Sequence, residues 1–260
     1  MPKLDANLQF MFNEYEVLDR YDAAARCGFR AVELQAPYEF PAEAVAERLE
    51  RNGLEQILIN MPAHDPDSGE RNVALRAEKR DLFHEYVGRA VSYAAALKCH
   101  VINCTAGPAP KGRSRDELKE VFVENLRYAA PKFAAVGTRL LIEPINTRDQ
   151  PGFFVHTSEQ GREIIEAANV ANLGLQYDVY HMQIMEGDLV RTIEANLRVI
   201  GHIQIADTPG RHEPGTGEIN YPFVLEFLDR IGYQGYVGAE YRPQGRTEEG
   251  LAWAQPYLSR

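Results

Sequence analysis

Residues 173–183 read LGLQYDVYHMQ, a stretch that begins as a buried strand and ends in polar chemistry. Leu173, Leu175 and Tyr177 alternate along one face, as a strand packed on helices requires, while Gln176 and Asp178 take the other face. A strand read as fully buried has no structural need to end in a bare carboxylate. The same question returns in RLLIEPIN (139–146), GHIQIAD (201–207) and GYVGAEY (235–241), through Glu143, Gln204 and Glu240.

Those four runs are half of a longer series. LDANLQ (4–9), AVELQ (31–35), LEQILIN (54–60) and HVINCTA (100–106) have the same β-type character. Segments of helical period lie between the runs. Over Glu78–Leu97, for example, Leu82, Phe83, Tyr86, Val87, Ala90, Val91 and Ala94 recur at steps of three and four. Gly28, Gly53, Gly137 and Gly232 stand where helices should end, a position at which left-handed backbone favours glycine. Alternating strands and helices predict a parallel sheet covered by helices. Eight such units in 260 residues predict an α/β protein of the (β/α)8 TIM barrel type, one domain over residues 1–260, rather than an open doubly wound sheet. No GxGxxG follows an early strand, which argues against a dinucleotide-binding domain.

Composition narrows the partners. The formal net charge of −10 argues against a nucleic-acid surface, which needs clustered Lys and Arg, but leaves room for a small anionic substrate held by one or two local cations. Three cysteines, Cys27, Cys99 and Cys104, have no CxxC spacing and predict reduced thiols rather than a disulfide framework. No run approaches the ~20 apolar residues of a membrane span, and the opening MPKLDANLQF lacks a signal-peptide core. The expectation is a cytoplasmic protein, complete from its first residue, without membrane partners. Helices around such barrels often pair, so a homo-oligomer is expected.

In a barrel of this type the active site lies at the C-terminal ends of the strands. Strands five to eight end in Glu143, Asp178, Gln204 and Glu240. If Ile203 and Ile205 face the helices, Gln204 faces the axis, and the same alternation turns Asp178 inward. A single acid at a strand end reads as a helix cap or an ion-pair partner; four successive strands ending this way read as one site. Three carboxylates packed together resist ionisation unless a cation sits among them. Three carboxylates and an amide oxygen form a hard-oxygen set, which predicts a divalent metal ion, Mg²⁺ or Mn²⁺.

At these residues the sequence resembles the hydroxypyruvate isomerase family of xylose-isomerase-like barrels. The resemblance runs nearly end to end, through ANLQFMFNEY, CGFRAVELQAPY, SGERN, NLRYAA, LLIEPINTRDQPGFF, QYDVYHMQIMEGDL, GHIQIADTPGRHEPGTGEINY and VGAEYRPQGRTEEGL. It implies a divalent metal held by Glu143, Asp178, Gln204 and Glu240, with Glu143 and Glu240 as the proton-transferring pair. Related ketose 3-epimerases carry histidine where this chain has Gln204, which argues against sugar epimerisation. The implied reaction interconverts hydroxypyruvate and tartronate semialdehyde. One glutamate takes the proton from the hydroxyl-bearing carbon, an enediolate forms, and a proton returns to the neighbouring carbon. Isomerisation of a four-carbon 2-oxo-tetronate needs the same site with a larger pocket. More distant readings are an abasic-site endonuclease, which would rely on several metal-ligating histidines and a basic surface, and a non-catalytic sugar-acid binder, which would be expected to lack one of the two glutamates.

Further candidates surround this set. His181, three residues past Asp178, is either a donor to a substrate oxygen, as the resemblance implies, or a structural hydrogen-bonding residue. Arg211, in the polar loop GRHEPGTGEINY, is a candidate for binding the substrate carboxylate or the enediolate. Glu70 and Arg71 in SGERN are substrate-binding candidates, with an internal loop ion pair as the alternative. Lys111, Arg113 and His64 read as loop residues, Glu33 as a supporting residue, and Cys104 as a small core residue. Loop Pro62–Arg76 is long enough to raise the question of closure over a substrate.

Overall fold

In the computed structural model, which describes residues 2–258, eight parallel strands close into a barrel in sequence order. They are β1 (Lys3–Asn7), β2 (Ala31–Glu33), β3 (Glu55–Asn60), β4 (Val101–Asn103), β5 (Arg139–Ile142), β6 (Leu173–Asp178), β7 (Ile200–Ile205) and β8 (Tyr236–Ala239). Closure comes from β8 pairing with β1, Asp5 opposite Gly238 and Ala6 opposite Ala239. The helices between them are α1 (Asp19–Arg26), α2 (Ala42–Asn52), α3 (Arg80–Leu97), α4 (Arg115–Ala134), α5 (Ser158–Ala168), α6 (Val179–Met185), α7 (Leu189–Asn196) and α8 (Tyr221–Arg230), with a last short turn α9 (Gln255–Leu258).

The expected periodicities hold. In α3 the buried positions are Phe83, Val87, Ala90, Ala94 and Leu97, one face at steps of three and four. A 3-10 turn over Ala77–Lys79 leads into it, so the helix starts two residues later than its pattern suggests. Gly53 closes α2 in left-handed geometry at φ 61°, and Gly28, Gly137 and Gly232 also have positive φ. Lys98 and Asn169 adopt the same conformation after α3 and α5, ends that no glycine announced. Helix α4 opens on a capping box, in which the Ser114 hydroxyl accepts from the Glu117 backbone and the Glu117 carboxylate accepts from the Ser114 backbone.

Alternation departs from the expected pattern twice: after β8 a 3-10 stretch (Thr247–Trp253) and the four-residue α9 stand in place of a full helix, and a second departure follows β6. Two helices, not one, separate β6 from β7, because Asp178 caps a short helix immediately after its strand by accepting from the Tyr180 backbone at 2.8 Å.

The main core lies between strands and helices and includes Leu173, Leu175, Tyr177, Ile203 and Ile205, the apolar set assigned outward. A second, small apolar cluster of Ala31, Ile57, Leu58, Val101 and Leu141 is separate from it. Polar side chains occupy other interior positions, and glycines make room for them. A Cβ added at Gly238 would lie 2.8 Å from Glu33 Oε1 and 3.0 Å from His202 Nε2. A residue from strand eight thus faces side chains from strands two and seven.

Candidate active site

The closed barrel brings Glu143, Asp178, Gln204 and Glu240 together at the C-terminal mouth, each 5% exposed or less. Asp178 and Gln204 are register partners on neighbouring strands, and Gln204 pairs with Gly238 beyond. Asn103, at the end of β4, donates to Glu143 Oε2 at 2.6 Å. Glu240 Oε1 accepts from Asn7 at 3.3 Å, from Gln204 at 3.4 Å and from Gln35. Arg211 joins the ring from the β7–α8 loop. Its guanidinium bridges Asp178 Oδ2, at 3.3 Å, and Glu240 Oε2, and lies 4.9 Å from the ring centroids of both Phe10 and Tyr180. Asp178 therefore serves twice, one oxygen capping α6 and the other facing Arg211 and His181 Nε2, the latter at 3.4 Å.

Burial decides the electrostatics. It pushes the Glu143 carboxyl up to about 8, reinforced by the Asp178 charge and opposed by Arg211. Glu240 is also raised well above the usual carboxylate range by burial, against the pull of Arg211 and with the repulsion of Asp178, Glu143 and Glu33. Two acids that repel one another in a dry site favour holding a proton between them. His181 is pushed down to about 4 by burial, against the Asp178 charge, and is therefore neutral near pH 7.

Around this site the chain matches known proteins along almost its whole length. A family model described as xylose isomerase-like TIM barrel matches residues 21–257. A hydroxypyruvate isomerase from Escherichia coli is 45% identical over 257 residues, covering 99% of this chain and 100% of that protein. The chain belongs to the hydroxypyruvate isomerase family. A 2-oxo-tetronate isomerase from Cupriavidus necator is also 45% identical, over 260 residues and 100% of both chains. Matched end to end by isomerases, the chain is an isomerase. Among solved structures, one described as an AP endonuclease, family 2, from Brucella melitensis is 44% identical with a TM-score of 0.96, covering 99% of each chain. A D-psicose 3-epimerase from Clostridium cellulolyticum, 21% identical with a TM-score of 0.78 over 96% of this chain and 89% of that one, shares the fold.

The donor chemistry of this family member fits a divalent cation. Glu143, Asp178 and His181 each offer a ligand atom within 4.8 Å of the others, whereas Glu240 is not part of that trio and is tied to Asp178 through Arg211. Gln204 departs from the expected arrangement. Its amide nitrogen points at Glu33, 2.8 Å away, and at Glu240, while its oxygen accepts from Gln176 at 2.5 Å. The fourth ligand position thus needs a turn of that amide. Among the described residues a second acidic group, Asp5, Glu33 and His202, lies one layer deeper, with Glu33 and His202 3.0 Å apart.

Six of the eight candidates named from the sequence therefore meet at the mouth: Glu143, Asp178, Gln204, Glu240, His181 and Arg211. Glu70 and Arg71 do not join them. Both are exposed, and Glu70 pairs with Arg76 at 3.2 Å, a loop ion pair that involves Arg76 and not Arg71. Their loop is tied down by Asp65, a buried carboxylate held by Arg76 and Lys79, each at 3.1 Å. Cys104 is buried, and burial pushes its thiol up to about 12, as a core residue rather than a nucleophile.

Sequence reading missed Asn7, Gln35 and Asn103, which donate to the two glutamates, and the precise part of Glu33, which accepts from Asn7 and Gln204. The signal was available in part. Asn7 and Asn103 end β1 and β4 as Glu143 follows β5, so the alternation applied to strands five to eight extends to the others. It also missed Asn146, whose side chain lies 2.6 Å from His181 Nδ1.

Proposed function

We propose that this isomerase is metal-dependent and interconverts hydroxypyruvate and tartronate semialdehyde by enediolate proton transfer between Glu143 and Glu240. The observation that carries the reading is the pair of buried glutamates that follow β5 and β8 and meet at one mouth, with Asp178 and Arg211 between them. Of such a pair, one member can serve as the base and the other, when it carries a proton, as the acid. Glu143, Asp178 and Glu240 would hold the cation, Mg²⁺ or Mn²⁺, with Gln204 as the fourth ligand once its amide oxygen faces them. When bound, the ion polarises the substrate carbonyl as a Lewis acid.

The chain's own residues do the rest. One glutamate removes the proton from the hydroxyl-bearing carbon, the hydroxyl proton passes to the neighbouring former carbonyl oxygen, and a proton held by the other glutamate is delivered to the adjacent carbon. Asn103 holds the Glu143 carboxylate in place, while Asn7 and Gln35 hold that of Glu240. Arg211, already paired with two carboxylates, offers the positive charge for the substrate carboxylate or the enediolate.

A second reading, isomerisation of a four-carbon 2-oxo-tetronate, is favoured by the equal identity of the Cupriavidus necator relative and uses the same residues. The endonuclease description of the Brucella structure is less compatible with a mouth of three carboxylates around one arginine, since a phosphate backbone seeks clustered cations.

The test is proton NMR in D₂O of metal-loaded protein with hydroxypyruvate or a four-carbon 2-oxo acid, beside Glu143→Gln and Glu240→Gln. Isomerisation with deuterium uptake, lost on chelation and reduced ~10²–10⁴-fold in each variant, is expected. Exchange with the four-carbon acid alone selects the second reading. Exchange that survives both substitutions removes the two-glutamate mechanism.

A further inference from the structure

The environment of His181 dictates where its proton sits. The Asn146 side chain is oriented by a backbone group whose polarity is not in doubt: the Asp149 N–H donates to Asn146 Oδ1 at 2.8 Å. The opposite corner of the amide is therefore the NH₂ group. One of its hydrogens goes to Asp149 Oδ2 at 3.1 Å, and the other points at His181 Nδ1, 2.6 Å away. Asp149 is itself held by the Tyr180 hydroxyl at 2.8 Å. An N–H directed at Nδ1 requires a lone pair there, because two hydrogens cannot share that line. The ring must then carry its proton on Nε2, the nitrogen 3.4 Å from Asp178 Oδ2 and turned toward the mouth.

We infer that Asn146 is a positioning residue that locks His181 in the Nε2–H tautomer, making it a fixed hydrogen-bond donor to a substrate oxygen and barring it from service as a base or a metal ligand. Grouping His181 with Glu143 and Asp178 by distance alone would make it a third ligand; the Asn146 contact removes the lone pair that role would need. A ring with a lone pair on Nδ1 and a proton on Nε2 is also neutral. A neutral donor can stabilise developing negative charge on an oxygen without surrendering its proton to the neighbouring carboxylates.

What the donor does rests on the isomerase reading, whereas the tautomer does not. The two are therefore tested apart. Two-bond proton–nitrogen correlation spectra of the full chain labelled with ¹⁵N-histidine report each ring nitrogen, and His181→Gln identifies the signal among the seven histidines. Wild type should show an unprotonated Nδ1 and a protonated Nε2. Asn146→Asp, which replaces the donor by an acceptor, should protonate Nδ1. Asn146→Ala should leave a mixture of tautomers, and Tyr180→Phe, which keeps the amide in place, should leave the wild-type pattern.

In the exchange assay, Asn146→Asp should lower kcat about 10²-fold with a smaller change in KM, the loss of one preorganised donor. A protonated Nδ1 in wild type, or an Asn146→Ala spectrum identical to it, overturns the inference, and the wild-type spectrum decides the polarity even if a variant does not fold. The expected tautomer in a protein that exchanges no substrate proton would instead overturn the isomerase reading alone.

Discussion

Arg211 stands where the sequence suggested only a substrate contact, yet in the fold it lies between Asp178 and Glu240 and under two aromatic rings. Removing one partner of a buried ion pair leaves the other charge uncompensated, at a cost of roughly 3–5 kcal/mol. Arg211→Met should accordingly lower the stability of the metal-free protein by about that amount, read from denaturant unfolding in chelator. Because the same carboxylates are the proposed ligands, Mn²⁺ should recover more stability in the variant than in wild type. Equal recovery in both proteins would mean that Arg211 and the ion do not share those charges. At this scale the sequence was informative about residue types. Glu143, Asp178, Gln204 and Glu240 were legible because each ends a strand, while Glu70 and Arg71 were not resolved, because a loop charge has no period to say where it points.

Elements were the most legible level. Strand positions followed from period two and helices from period three to four, and these patterns survive in the fold because one face of each element is buried. What the patterns did not disclose were ends without glycine, such as Lys98 and Asn169, and the short helix α6 that Asp178 starts. The bland reading of a strand-end acid as a helix cap holds for Asp178 through Oδ1, and its second oxygen is left facing the mouth, beside Arg211 and His181. The capping box of α4 gives an element-level prediction. Ser114→Ala removes the acceptor for the Glu117 backbone and should cost about 1 kcal/mol, measured as a shift in denaturant midpoint at unchanged slope. A change under a few tenths of a kcal/mol would show that tertiary packing, not the cap, fixes that helix start.

At the scale of the whole molecule, closure of the barrel sets the protonation of the site. The Glu143 carboxyl moves from an ordinary value of 4.5 to about 8, chiefly through burial. A folded-state value above the unfolded one means stability fully present below about pH 4.5 and lost as pH rises toward 8, because the unfolded chain releases the proton first. Metal-free wild type should therefore lose more stability between pH 5 and pH 8 than Glu143→Gln, and Mn²⁺ affinity should rise over the same window as the ligand is freed of its proton. The opposite slope would place the ionised carboxylate in the metal-free fold.

Sequence alone determined that this chain forms an eight-stranded α/β barrel and that several strands end in oxygen-bearing side chains, the ground on which a hard cation is proposed. These are properties of local period and residue chemistry, and both are written along the chain. Only the tertiary structure decided that Arg211 bridges Asp178 and Glu240, that Gln204 turns its nitrogen to Glu33, and that Asn146 faces His181. Those contacts join residues from 29 to 171 positions apart, and they exist because β8 closes on β1 and surrounding the interior with protein leaves each polar group only its neighbours as partners.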